Sequence, residues 1–122
     1  MTANILTVDD SASIRMTTKI TLTGAGYSVT EAVDGQDGLT KAKAGNYDLI
    51  VTDLNMPNMN GLEMIRALRQ SPAHTGVPII FLTTESDAEM KSQAKAAGAP
   101  GWITKPFDPE QLVKIARKVL GR

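Results

Sequence analysis

Asp9 and Asp10 follow the apolar run Ile5 to Val8, Asp53 follows the run Leu49 to Val51 and Thr52, Thr83 follows Val77 to Leu82, and Lys105 follows Trp102 and Ile103. Three carboxylates, a hydroxyl and an ammonium therefore each stand just past a short apolar segment of the kind that forms a strand. If those strands run side by side in one direction, their ends meet and the five residues form one site. Carboxylates brought together repel one another unless a cation lies between them, so a hard divalent ion is the natural occupant. With oxygen ligands and no histidine or cysteine in the set, magnesium is favoured over zinc. Lys105 then needs an anionic partner beyond the metal. A phosphoryl group satisfies the lysine, the metal and the Thr83 hydroxyl together.

The elements that must position these groups are legible in the chain. Apolar runs at Ile5 to Val8, Tyr27 to Val33, Leu49 to Val51, Val77 to Leu82 and Trp102 to Ile103 are each followed by a longer helical stretch. The runs beginning at Asp48 and Val77 are apolar without alternation, as expected of parallel strands covered on both faces. The expectation is an α/β fold: a doubly wound (βα)5 unit with a five-stranded parallel sheet. Ligands of such sheets bind beyond the carboxyl ends of the strands, where all five residues fall.

Helix boundaries support this division. Ser86 with Glu89 and Asp108 with Gln111 read as capping boxes, Asn60 as the cap of the third helix, Pro109 as a first-turn proline, and Gly26 and Gly98 as stops. Leu112, Ala116, Val119 and Leu120 share one face of the last helix, and Met90, Ala94 and Ala97 form a slimmer stripe on the fourth. On the first helix Ile14, Thr18, Leu22 and Ala25 should pack on the sheet, leaving Met16 and Ile20 to project outward.

The 122 residues suit one domain spanning 1–122, large enough to bury a core without staples. The absence of cysteine excludes a disulfide framework, a thiolate metal site and a cysteine nucleophile. Lys plus Arg equals Asp plus Glu at 13 each, so no excess of positive charge favours nucleic acid or anionic lipid. Neither a signal peptide nor a membrane-spanning stretch is visible. The expectation is a soluble cytoplasmic monomer that binds neither nucleic acid nor membrane.

Val8-Asp9-Asp10-Ser11, Asp53-Leu54-Asn55-Met56-Pro57 with Gly61, Thr83, and Lys105-Pro106-Phe107 together resemble the receiver domain of two-component response regulators, in its single-domain, CheY-like chemotaxis form. The resemblance covers essentially the whole chain, and four separated motifs in the right order make it specific. It implies the flavodoxin-like strand order 2-1-3-4-5. It also implies that Asp53 is the phosphoacceptor, attacking the phosphorus of a kinase phosphohistidine to form an acyl phosphate. Magnesium would be held by Asp10, Asp53 and the backbone carbonyl of Asn55, with Asp9 acting through water. Lys105 would pair with the phosphoryl group across a cis Lys105-Pro106 bond, and Thr83 would sense it.

By the same resemblance Trp102 occupies the aromatic switch position and works with Thr83 to reshape the surface of helix 4, strand 5 and helix 5. Tyrosine or phenylalanine is more usual there, and the indole needs more room and a partner for its N–H. Asn55 and Glu85 would flank the phosphoryl group and tune its lifetime. Met16 and Ile20 would help dock the phosphodonor, a sensor histidine kinase or phosphotransfer domain of the CheA-like kind. Outputs are a flagellar motor switch or other protein target, with a phosphatase as a further partner, or else a role as phosphate sink or relay. The resemblance makes the chain a phosphoacceptor signalling protein that assists its own phosphorylation and dephosphorylation rather than a turnover enzyme, with no effector domain attached.

Two other classes fit less well. A haloacid-dehalogenase-like hydrolase places its nucleophile in an Asp-x-Asp motif after the first strand, whereas Asp9 and Asp10 are adjacent. A flavodoxin-like electron carrier needs a phosphate loop richer than Ser11-Ala12-Ser13, and Asp9 and Asp10 would repel that phosphate. His74, in a turn-rich connection at the opposite edge, reads as a solvated loop residue.

Overall fold

Apolar strands and amphipathic helices alternate as β1 (Asn4–Val8), α1 (Ala12–Gly24), β2 (Ser28–Ala32), α2 (Gly35–Ala44), β3 (Leu49–Thr52), α3 (Gly61–Arg69), β4 (Ile79–Thr83), α4 (Ala88–Ala96), β5 (Gly101–Thr104) and α5 (Pro109–Leu120). The computed structural model describes residues 3–54, 59–70, 77–83, 88–96, 101–104 and 108–121, without the side chains of Thr83, Ala88, Met90 and Ala94. The strands form one parallel sheet in the order β2-β1-β3-β4-β5, as expected. Among the described residues no helix is long and apolar enough to cross a membrane.

Successive strand residues point to opposite faces, and both faces are dry. Leu6, Val8, Ile50, Ile79 and Phe81 pack with Leu39, Leu62, Met64, Ile65 and Leu68 of α2 and α3. Ile5, Leu49, Val51, Ile80, Leu82 and Ile103 pack with Leu22, Leu112 and Ala116 of α1 and α5. This two-sided burial is why the runs in β3 and β4 show no alternation. In α1, Thr18 and Leu22 are buried and Ile14 and Ala25 join the same core, while Met16 and Ile20 are 63% and 65% exposed, as the helical spacing predicts. In α5, Val119 and Leu120 also lie against that core.

The helix ends follow local chemistry, with one correction. Asn60 and Glu63 form a reciprocal capping box on α3. Asp108 caps α5 but accepts from the Glu110 N–H at 3.0 Å, one residue short of the Gln111 position that a capping box uses. With Pro109 lacking an N–H, Glu110 offers the first donor that the short carboxylate meets. Gly26, with φ of 98°, ends the connection after α1 as a left-handed residue. Ser11 and Asp34 cap α1 and α2. The expected Ser86 cap and Gly98 stop lie outside the described residues.

Register is what brings the strand ends level. Val8 pairs with both Ala32 and Thr52, Thr52 with Phe81, and Thr83 with Thr104. The ladder continues one step further: the Asp9 N–H donates to the Ala32 carbonyl at 3.2 Å and the Asp53 N–H to the Val8 carbonyl at 2.8 Å. Gly61 seats α3 against this edge, since a Cβ there would lie 2.5 Å from the Asp53 carbonyl oxygen and 2.8 Å from the Phe81 ring. Gly61→Ala should therefore cost a net ~1–2 kcal/mol, because overpacking outweighs the gain in helix propensity. Urea unfolding checks this through a lowered midpoint at unchanged slope.

Candidate functional site

β1 ends at Val8 and α1 begins at Ala12, so Asp9 and Asp10 occupy a short turn whose polar groups are tied on several sides. Asp9 is buried, and its Oδ1 accepts from the Ser11 N–H at 2.9 Å. Its main-chain carbonyl accepts from Arg15 Nη1 at 2.6 Å. Asp10 is exposed. Across the β1–β3 pairing, Asp53 is buried, its Oδ1 accepts from the Leu54 N–H at 2.7 Å, and its carbonyl accepts from Thr52 Oγ1 at 2.9 Å.

One carboxylate oxygen from each of Asp9, Asp10 and Asp53 lies within 4.8 Å of the other two. Oxygens trans across a magnesium ion stand about 4.2 Å apart, twice the usual bond length of ~2.1 Å. The spacing and the all-oxygen donor set thus fit a hard divalent cation, either bound directly by all three or through one intervening water. Like charges this close would otherwise destabilise the fold.

The structure brings together Asp9, Asp10 and Asp53 as the strand pattern predicts. It places Thr83 as the last residue of β4, on the same sheet edge, with its side chain undescribed. Asn55, Glu85, Lys105, the Lys105-Pro106 bond and His74 lie outside the described residues. Trp102 sits in β5, half-buried against Phe81 with ring centroids 5.6 Å apart, and Lys91 of α4 places its Nζ 5.8 Å from the indole centroid. Its Nε1 is buried and has no hydrogen-bond partner among the described residues.

Sequence reasoning missed Arg15 and Thr52. The signal for Arg15 was its place in the first turns of a helix that starts directly after Asp10, which folds a long side chain back toward the strand end. Arg15, Asp9, Thr52 and Asp53 line one small void beneath the carboxylates, of about 10 Å³. A roomier groove of about 540 Å³ between α1 and α5 shares no lining residue with it.

The family model for the response regulator receiver domain matches residues 5–117. The chain is similar to the chemotaxis protein CheY4 of Vibrio cholerae, with 46% identity and a TM-score of 0.93 over 98% of this chain and 100% of that one. It also resembles the receiver domain of the sensor histidine kinase PA1611 from Pseudomonas aeruginosa, which has a magnesium ion coordinated in its active site cleft, at 28% identity and a TM-score of 0.90 over the full length of both. The response regulator ArlR of Staphylococcus haemolyticus is 43% identical over 119 residues, 98% of this chain and 53% of ArlR. The chain thus spans about half the length of the curated relatives it matches.

In the metal-free protein, Asp10→Asn should raise stability by ~1 kcal/mol at low ionic strength, the Coulomb energy of like charges under 5 Å apart in water. Urea unfolding with and without magnesium checks this. The advantage should shrink or reverse when magnesium binds the folded wild type; a loss of stability without metal would refute the crowding argument.

Proposed function

Because this chain belongs to the response regulator receiver domain family, which signals through phosphorylation, we propose that Asp53 is its phosphoacceptor. The observation that carries this assignment is the buried Asp53 carboxylate at the end of β3, gathered with Asp9 and Asp10 within 4.8 Å. The Leu54 N–H anchors Oδ1 and so orients the carboxylate, one oxygen of which acts as nucleophile. That oxygen attacks the phosphorus of a phosphohistidine on a sensor histidine kinase or phosphotransfer domain. A new O–P bond forms, the N–P bond breaks, and the departing imidazole nitrogen keeps the bonding pair and takes a proton.

Asp10, Asp53 and the Asn55 carbonyl would hold magnesium, with Asp9 reaching it through water. When bound, magnesium supplies positive charge against the phosphoryl oxygens during transfer. Lys105 pairs with the same oxygens and Thr83 donates to them once the acyl phosphate exists. Asn55 and Glu85 govern access of water, and their joint replacement by alanine should change the decay rate of the acyl phosphate while leaving its formation intact.

Trp102 transmits the state. A buried N–H without a partner costs about 1–3 kcal/mol, so the position seen here, with Nε1 orphaned among the described residues, favours a rotamer change when Thr83 shifts. The α4, β5 and α5 surface, which includes Lys91 over the indole, is then the output face. A chemotaxis-type output through a protein target is supported by the match to CheY4 across that protein's whole length. A role as phosphate sink or relay is the alternative, separated by whether any target prefers the phosphorylated form.

Incubation with acetyl phosphate and magnesium should add one phosphoryl group by intact mass, reversible by hydroxylamine, and change indole fluorescence. Asp53→Asn or chelation of magnesium should abolish the gain; an undiminished gain in Asp53→Asn would overturn the assignment. Met16 and Ile20 stand exposed on α1, just beyond the Asp9–Asp10 turn, and we assign them to phosphodonor docking. Replacing both with serine should slow transfer from a phosphohistidine protein about tenfold, ~1.4 kcal/mol, and leave acetyl phosphate uptake unchanged. Equal slowing with both donors would place them outside docking.

A further inference from the structure

We propose that Arg15 is a positioning residue for the acidic centre, acting on Asp10 through the peptide group that joins it to Asp9. The inference rests on the reading of that centre as a magnesium site. Among the described residues nothing hydrogen-bonds the Asp10 carboxylate, and the side chain is exposed, so the backbone beneath it is its described anchor. That backbone is the Asp9–Asp10 peptide, a rigid plane. Its oxygen accepts from Arg15 Nη1 at 2.6 Å, while the other side of Asp9 is tied by its N–H to Ala32 and by its Oδ1 to the Ser11 N–H. With the Asp9 N–H and the peptide oxygen both held, the plane has little freedom to rotate, which fixes the point from which Asp10 projects. From that point its carboxylate lies within 4.8 Å of those of Asp9 and Asp53.

Without the guanidinium, three like charges favour the opposite outcome. The exposed Asp10 is free to swing into solvent, and a flip of the peptide would accompany it. Arg15 is well suited to oppose this because its fork is planar, always charged and hydrogen-bonded from a packed helix. It is half-buried and lines the small void shared with Asp9, Thr52 and Asp53, so its stem is fixed by its surroundings. The charge-assisted bond to the carbonyl is of the stronger class.

The two roles open to a cation here predict opposite signs. Through Coulomb repulsion alone, Arg15 weakens magnesium binding and its removal tightens it. Through positioning, its removal weakens binding, as loss of an outer partner commonly does by about 10-fold or more.

Isothermal calorimetry with magnesium chloride on wild type, Arg15→Met and Arg15→Lys separates them, with urea unfolding of the metal-free proteins alongside. Arg15→Met keeps an apolar stem and loses both donor and charge. The expected result is a Kd about tenfold weaker for Arg15→Met and within about twofold of wild type for Arg15→Lys, which retains a donor within reach. If Arg15→Met does not fold, Arg15→Gln, too short to reach the Asp9 carbonyl, carries the same expectation. An unchanged or tighter Kd in the truncated variant, or an Arg15→Lys as weak as it, overturns the inference. Failure of wild type to bind magnesium at all would instead overturn the reading of the centre on which it rests.

Discussion

Like charges held at one edge of a sheet impose the constraint on which the rest of this molecule depends. Asp9, Asp10 and Asp53 approach within 4.8 Å, an arrangement an isolated peptide would relax at once by rotating away. The fold does not permit it, because two of the three side chains are buried and their backbones continue the hydrogen-bond ladder past the last strand residues. Such repulsion is relieved when a cation lies between the carboxylates, which is the physical basis of the magnesium site proposed above.

Rigidity of the edge comes from the two dry faces of the sheet. Among the described residues, thirteen buried on one side and eleven on the other clamp the central strands, and close-packed interiors resist sliding. β1 and β3, which carry the carboxylates, are flanked by β2 and β4 in the interior of the sheet. Gly61 lets α3 approach until its first residue lies against the Asp53 carbonyl. Arg15 reaches back from α1 to the other half of the site. Helices on opposite faces therefore converge on the same few backbone atoms.

The side proposed above as the output face is built differently. The described side chains of α4 are mostly exposed and polar, with Glu89, Lys91, Ser92 and Lys95 facing solvent, and Lys91 lies over the Trp102 indole of β5. Contacts of that sort are worth ~0.5–1 kcal/mol at exposed sites.

The two-faced core and the gathering of the aspartates were legible because apolar runs of strand length, separated by helix-length stretches, leave few topologies open, while the strand order followed from the motifs' resemblance to receiver domains. The exposure of Met16 and Ile20 followed from helical spacing alone. The Asp108 box was misread by one residue, since cap geometry turns on a rotamer that spacing does not encode. Arg15 and Thr52 were invisible for a related reason: nothing in the residue type says which carbonyl a side chain will meet. By itself, then, the sequence determined which side chains share an edge, because period and strand polarity are properties of the chain. Only the tertiary structure decided how that edge is held, because the bonds from Arg15, Ser11 and Leu54 depend on distances of a few tenths of an ångström that arise when helices on two faces pack at once.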